Sequence, residues 1–339
     1  MVVENSSTNS GKRAPRKAIK PILFSIHPDN AGKFDVHFPG LLDNLVPPMT
    51  LTSEIGLMTE IPSWLLPAFF FVTLVSLVVL FQDRFIYFPP RYSPAELHEA
   101  KNVGVQELRF RTSQGSQTAF FWRYKDSERI PQIVWIVFGG NGDVALSWID
   151  LVRDFPSQHT GFLLVDYPGY GICEGKPNPQ SIFESSEHAL QALLDQKHWK
   201  LETGAVAVLG HSLGGAAALQ FAAKHVVRKI LVLSTFTTMD DMVRSQIRIS
   251  LGVLLRHRFD NMTSLKAILS QNQVPEIYIF HGDADEVIPL KMGRSLAQLD
   301  PSRIKFVEIP GAHHNDVVQM ALPLGLQTAL SQNNHRHKG

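Results

Sequence analysis

The residue types that could carry out chemistry lie in three short stretches of the chain, each of which follows an apolar run. Ser212 lies in GHSLG, Asp283 and Asp285 lie in HGDADE, and His313 and His314 lie in GAHHND. A serine hydroxyl is a weak nucleophile, so it needs a base at hydrogen-bond distance, and the base needs an acid that orients it. Serine, aspartate and histidine in this order therefore predict nucleophilic catalysis at Ser212.

The residues leave a choice within the two pairs. Asp285 is favoured as the acid because it stands two residues before the apolar VIP, and Asp283 is the alternative. His281, at the end of the preceding apolar run, is expected to support the turn. Either His313 or His314 can take the proton from the serine and later return it to the leaving group.

Backbone N–H groups beside the serine are expected to stabilise a negatively charged oxygen in the reaction. The N–H of Leu213 directly follows the nucleophile, and the second donor is expected in the glycine-rich stretch 138–143, at Asn141. A phosphate-binding loop is the rival interpretation of this stretch. It is disfavoured because no Lys-Ser/Thr follows and because Gly-x-Gly-x-x-Gly is absent.

The elements that must position these residues alternate along the second part of the chain. Continuous apolar strands separated by helices predict a mostly parallel sheet with helices on both faces, and the first two strands form an antiparallel edge. Chemistry gathers at the carboxyl ends of such strands, where all three stretches lie. Residues 235–275 are long enough for a small helical cap, with an ordinary crossover plus one extra helix as the alternative. The predicted strands are 105–112, 117–124, 133–138, 161–166, 205–210, 229–234, 276–282 and 304–310; the predicted helices are 143–155, 181–197, 213–226, 290–299 and 316–330.

Composition excludes several classes of protein. The 339 residues carry a formal net charge of +1, so bulk charge does not favour nucleic acid as a partner. Cys173 is the one cysteine, which rules out a disulfide within the chain. We find no metal-ligand spacing among the 14 histidines.

One segment predicts contact with a membrane. Residues 61–82 contain no charged residue and no histidine, and about 20 such residues are enough for a helix to cross a bilayer. A buried core helix and a cleaved signal peptide are the alternatives. The charges give no single orientation, because Arg84 and Arg91 favour a cytoplasmic C-terminal domain while the basic cluster in residues 12–20 favours the opposite. Residues 1–60 are predicted to be a partly disordered tail, with residues 1–20 and the C-terminal 331–339 disordered.

As a set, the motifs resemble those of the α/β-hydrolase superfamily, in particular its membrane-anchored serine hydrolases with a small cap. The resemblance covers about residues 84–330, which are expected to form one α/β-hydrolase domain. The motifs that carry it are GGNGD from Gly139, DYPGYGICEG from Asp166, GHSLG from Gly210, HGDADEVIP from His281 and GAHHND from Gly311.

The resemblance implies a role for individual residues. It implies Ser212 as nucleophile, Asp285 as acid and His314 as base, and it selects His314 over its neighbour. It also implies that the main-chain N–H groups of Asn141 and Leu213 form the oxyanion hole. The substrate class is not implied, because members of the superfamily hydrolyse esters, thioesters and lipids.

The leading expectation is a single-pass membrane-anchored serine hydrolase. It would cleave a small-molecule or lipid acyl ester, or a thioester, through an acyl-enzyme on Ser212, without a metal or an organic cofactor. Three alternatives remain at this stage: a serine peptidase of the prolyl-oligopeptidase type, an acyltransferase, and a non-catalytic membrane scaffold.

Overall fold

The computed structural model describes residues 26–28, 34–36, 62–124, 130–154, 157, 159–248, 250–321 and 326–331. Residues 1–20 and 332–339, which are predicted to be disordered, lie outside these ranges. Ser331, the first residue of the predicted C-terminal tail, is the last residue of a helix. Within the predicted N-terminal tail, β1 (Ile26–Pro28) pairs antiparallel with β2 (Phe34–Val36). This pair lies in the first of the two units into which the chain divides.

Eight strands of the described residues form one sheet, which confirms the predicted fold class. The strands from β5 onward pair in parallel with one another. At one edge of the sheet, β4 pairs antiparallel with both β3 and β6. Their order across the sheet is β10-β9-β8-β7-β5-β6-β4-β3. The strands are β3 (Gln106–Thr112), β4 (Gly115–Arg123), β5 (Ile133–Phe138), β6 (Thr160–Val165), β7 (Val206–His211), β8 (Lys229–Leu233), β9 (Glu276–Gly282) and β10 (Ile304–Ile309).

The central strands are buried on both faces because helices cover the two sides of the sheet. In β5, Val134 and Ile136 join the core on one face, whereas Ile133 and Trp135 join the core on the other. This alternation is the two-residue period of a strand. The first core is closed by α4 (Pro179–Lys197), α5 (Leu213–Ala222), α7 (Asn261–Leu269) and α8 (Leu290–Ala297). The second is closed by α2 (Pro94–Asn102), α3 (Ile149–Arg153), α9 (Val317–Ala321) and α10 (Leu326–Ser331).

Several predicted helices have different bounds in the structure. The helix predicted at 143–155 begins as a 3₁₀ turn, Ala145–Trp148, and continues as α3. Helix α4 begins two residues before its predicted start, because Asn178 and Ser181 cap it reciprocally and a proline fits the first helical position. Within the helix predicted at 316–330, the structure describes α9 and α10, and residues 322–325 between them lie outside the described residues.

The long connection between β8 and β9 contains more than a crossover helix. Helix α7 packs against α5 and supplies the crossover. Before it, a bridge between Thr238 and Asp260 closes the base of an excursion that we call the cap segment, residues 239–259. The cap segment contains α6 (Met239–Ile247) and a 3₁₀ turn, Gly252–Leu254.

The apolar segment predicted to cross a membrane forms helix α1 (Leu65–Ile86), which is kinked. Its two parts, Leu65–Leu77 and Val79–Ile86, are bent by 46° relative to each other. In the part of the chain that the structure describes, no single helix is both long enough and apolar enough to span a bilayer. Among these residues, only the two parts of α1 taken together reach that length and apolar composition.

Candidate active site

Ser212 lies at the tip of a tight turn between β7 and α5. Its backbone angles, φ 56° and ψ −119°, fall outside the regions that non-glycine residues favour, which is the strained geometry of a nucleophile elbow. The turn is possible only because its neighbours are small. A Cβ atom at Gly210 would overlap the carbonyl of Gly214, and a Cβ atom at Gly214 would overlap the carbonyls of Phe138 and Gly139.

The structure brings the predicted serine, histidine and aspartate into one chain of hydrogen bonds. The Oγ of Ser212 lies 3.0 Å from Nε2 of His314. The Nδ1 of His314 lies 2.9 Å from Oδ2 and 3.1 Å from Oδ1 of Asp285. Ser212 is 8% exposed and His314 is 5% exposed, so bulk water is largely excluded from both. In this arrangement His314 can accept the serine proton while Asp285 orients the ring.

The Asp285 carboxylate is held in its ionised form by several donors. Its side chain is fully buried, which by itself disfavours the charge, but the hydrogen bond from His314 and the N–H of Ile288 outweigh the burial and lower the pKa of Asp285. Its Oδ1 also accepts from the N–H of Val287 at 2.9 Å. His281 donates to the carbonyl of Ile288 at 2.9 Å, and burial lowers the pKa of its imidazole, so it supports this turn as a neutral ring.

The structure separates the members of both pairs, which the residue types alone left open and the resemblance resolved to Asp285 and His314. Asp283 accepts from the N–H of Gly311 at 2.6 Å and is exposed, away from the ring of His314. The side chain of His313 is 62% exposed and lies 3.0 Å from Glu286, whose carboxylate raises the pKa of the His313 ring. Both alternatives are therefore on the surface of the loops that carry the buried pair.

His211 is a site residue that the sequence reasoning missed, although it lies inside GHSLG. Its Nε2–H donates to the main-chain carbonyl of His314 at 2.9 Å, and the two rings are 4.9 Å apart. Burial, followed by the charge on His314, lowers the pKa of His211 to about 4. A neutral His211 thus holds the loop that carries the candidate base.

The two predicted oxyanion donors lie on segments that touch. The carbonyl of Gly139, at the end of β5, packs against Gly214 in the first turn of α5. Among the described residues, neither Asn141 N–H nor Leu213 N–H donates a hydrogen bond within the protein. The predicted role of these two N–H groups as oxyanion donors requires this lack of a partner within the protein.

The turn after β6 holds the oxyanion loop, residues 139–143, from one side. The hydroxyl of Tyr167 donates to the carbonyl of Gly139 at 2.6 Å, and that of Tyr170 donates to the carbonyl of Asn141 at 2.7 Å. Asp166 accepts from the N–H of Ala145 at 2.7 Å, and burial raises its pKa to about 7. The motif DYPGYG could have pointed to these side chains, but only the fold shows what they bind.

In the described ranges, no group of three or more histidine, cysteine, aspartate or glutamate side chains is placed to hold a metal ion.

Comparison with known proteins agrees with the fold and with the motifs. The sequence model of the Alpha/beta hydrolase family matches residues 134–266. Protein bem46 of Schizosaccharomyces pombe is 24% identical over 257 residues, which cover 72% of this chain and 84% of that protein. The uncharacterized protein YfhR of Salmonella typhimurium is 27% identical over 215 residues, which cover 58% of this chain and 71% of that protein.

Solved structures show the same architecture at low sequence identity. The esterase PF2001 of Pyrococcus furiosus superposes with a TM-score of 0.54 at 11% identity, over 72% of this chain and 95% of that chain. An alpha-beta hydrolase from Vibrio vulnificus superposes with a TM-score of 0.54 at 15% identity, over 71% of this chain and 87% of that chain. With the elbow, the parallel sheet and the family model that matches residues 134–266, these likenesses show that the chain has the α/β-hydrolase fold.

Proposed function

We propose that this α/β hydrolase is a serine hydrolase that cleaves carboxylic ester or thioester bonds through an acyl-enzyme on Ser212. The observation that carries the proposal is the unbroken chain of hydrogen bonds from Ser212 through His314 to Asp285. A serine without such a base and acid would be too weak a nucleophile at neutral pH.

The geometry supports a two-step acyl transfer. The Ser212 hydroxyl loses its proton to Nε2 of His314 as its oxygen attacks the carbonyl carbon. The oxyanion accepts hydrogen bonds from the N–H groups of Leu213 and Asn141. His314 then protonates the leaving alcohol or thiol, and the acyl group stays on Ser212. Water, activated by the same histidine, releases the acid and restores the serine.

We also propose that helix α1 attaches the enzyme to a membrane, with a lipid or other acyl ester as the substrate. Large apolar side chains are exposed in long runs along Leu65–Leu77, among them Phe69, Phe70, Phe71 and Val72. Four consecutive exposed residues cover every side of a helix. A helix that is apolar on all sides can be surrounded by lipid, whereas a groove on a partner protein would cover only one of its faces.

A fluorophosphonate probe tests the proposed nucleophile, since it forms a covalent bond with an activated serine. We expect the wild type to be labelled and to hydrolyse a series of acyl esters and acyl thioesters. Ser212→Ala should do neither. The proposal is wrong if the wild type is not labelled or if Ser212→Ala is labelled equally.

Paired substitutions of neighbouring residues test the base and the acid. His314→Gln and Asp285→Asn should each lower kcat by about 10⁴-fold or more. The matched controls His313→Gln and Asp283→Asn change the same residue types on the same loops, and they should keep wild-type kcat because these side chains point to the surface. Equal losses in both members of a pair would contradict the assignment.

A further inference from the structure

The oxyanion loop is held from a second side by the residues that end helix α1. The side-chain Nδ2 of Asn141 donates to the carbonyl of Ile86 at 3.2 Å. The main-chain N–H of Phe88 donates to the carbonyl of Asn141 at 2.9 Å. Asn141 is thus bonded through both its side chain and its main chain to residues 86–88, where the chain leaves α1.

The same part of α1 is bonded to the cap segment. Gln82 is 4% exposed, and its Nε2 donates to the carbonyl of Leu254 at 3.4 Å. Its Oε1 accepts from the N–H of Arg256 at 2.6 Å. Farther along, the buried ring of Tyr87 meets the ring of His257 edge to face, with the ring centres 5.3 Å apart. We call residues 82–88 the helix seat.

The helix seat therefore joins three parts of the molecule: the apolar helix α1, the cap segment and the oxyanion loop. The bonds to Asn141 matter because an oxyanion donor is effective only when it is aimed at the developing charge before the reaction begins. Within the described ranges the N–H of Asn141 has no partner, whereas its side chain and its carbonyl are both anchored, so a shift of the seat would move this donor.

We propose that the helix seat positions the oxyanion loop through Asn141, so that the rate of turnover depends on how helix α1 is held. This inference rests on the proposed function, because it assigns the N–H of Asn141 to the oxyanion hole. Gln82 and the side chain of Asn141 are then positioning residues, which act through the main chain of the loop without touching substrate.

Two substitutions in the full-length chain test the proposal. Asn141→Ala removes the bond to Ile86 but keeps the N–H donor, and we expect kcat to fall about tenfold, less than the 10²- to 10³-fold loss of a whole donor. Gln82→Ala loosens the seat from the cap segment, and kcat should fall by about threefold, a smaller change than direct truncation of the loop anchor. KM should stay the same in both variants, because ground-state binding is not altered.

A boronic acid inhibitor separates positioning from general damage to the fold. Its tetrahedral adduct on Ser212 mimics the transition state, so its affinity should fall by the same factor as kcat in each variant. The matched control is Gln191→Ala, which truncates an exposed glutamine on α4, outside the seat, and should leave kcat, KM and inhibitor affinity unchanged. Thermal unfolding shows whether each variant remains folded at the assay temperature.

The double variant decides whether the seat acts through Asn141. If it does, Gln82→Ala should have a smaller effect on kcat once Asn141 is alanine, because one of the two bonds between the seat and the loop is then already lost. Effects that multiply, or a wild-type kcat in Asn141→Ala, overturn the proposal. Failure of the proposed function is a different result, since then the wild type itself shows neither hydrolysis nor labelling at Ser212.

Discussion

At the scale of single residues, burial distinguishes the candidate catalytic groups from their neighbours. Asp285 and Asp283 are two positions apart, yet one carboxylate is fully buried against His314 and the other is exposed. His314 and His313 are adjacent, and the same contrast separates them. In low-polarity surroundings a hydrogen bond between a carboxylate and an imidazole is stronger than at the surface. The buried member of each pair is therefore the one suited to proton transfer.

The pH dependence of folding should reveal the buried, neutral His211. Its pKa in the folded protein, about 4, is below the ordinary value of 6.5, so the unfolded chain binds more protons between these pH values. The free energy of unfolding should therefore fall as the pH drops from 6.5 towards 4. In His211→Gln, whose amide can still donate to the carbonyl of His314, the slope of the free energy of unfolding against pH should be shallower. Urea denaturation at several pH values measures it.

His98→Gln is the matched control for this prediction, because His98 is exposed on α2. It should retain the wild-type slope. A wild-type slope in His211→Gln would contradict the prediction, since it would mean that His211 takes up protons equally in the folded and unfolded states.

At the scale of elements, the site depends on how closely helix α5 approaches the end of β5. The main-chain carbonyls of Phe138 and Gly139 fill the space that a side chain at position 214 would need. Because these are backbone atoms at the start of the oxyanion loop, they cannot rotate away as a flexible side chain could. The small residues after Ser212 are therefore required for packing and, if the proposed function holds, for the alignment of the two predicted oxyanion donors.

Gly214→Ala tests this close approach. Overpacking at this point should lower the free energy of unfolding by about 1–3 kcal/mol and should reduce kcat strongly, because the oxyanion loop must move away from the elbow. Denaturant unfolding and ester hydrolysis provide the two measurements. Gly142→Ala is the matched control within the loop, since a Cβ there would meet nothing within 4 Å. Comparable losses in the two variants would show that loop geometry, and not contact with α5, limits the site.

At the scale of the whole molecule, helix α1 combines an exposed apolar part with a part that is built into the enzyme. Phe70 and Leu74 in the first part are 68% and 58% exposed, whereas Gln82 in the second part is buried against the cap segment. The bend of 46° lies between these parts. If the first part enters a bilayer, the second part keeps the cap segment close to the membrane surface.

The proposed membrane attachment can be tested by cell fractionation. We expect the wild type to sediment with membranes and to resist extraction at alkaline pH. The double variant Phe70→Glu, Leu74→Glu should be released, because each charge in the middle of a membrane helix costs about 2.5–3.5 kcal/mol. Ile130→Glu, which charges an exposed apolar residue outside α1, should remain with the membranes. A wild type found in the soluble fraction would contradict the proposal.

Much of the fold could be predicted from the chain because local patterns determine it. Six continuous apolar runs of strand length became the parallel strands, and the two alternating runs became the antiparallel edge. Helix bounds were less predictable. The reciprocal cap of Asn178 and Ser181 starts α4 earlier than its apolar pattern suggests, and residues 145–148 adopt a 3₁₀ turn within a predicted α-helix. Such ends depend on individual hydrogen bonds that periodicity does not record.

The sequence by itself determined the fold class, the order of the candidate triad and the position of the elbow, because each of these depends on a short motif or on a local apolar period. The resemblance selected Asp285 and His314, but only the tertiary structure showed that these two side chains are buried and hydrogen-bonded in line with Ser212. It alone showed that His211, Tyr167 and Tyr170 support the site, and that Asn141 is bonded to the end of helix α1. The physical reason is that these contacts join residues that are distant in sequence and near in space. Their strength depends on the burial that the complete sheet and its helices create.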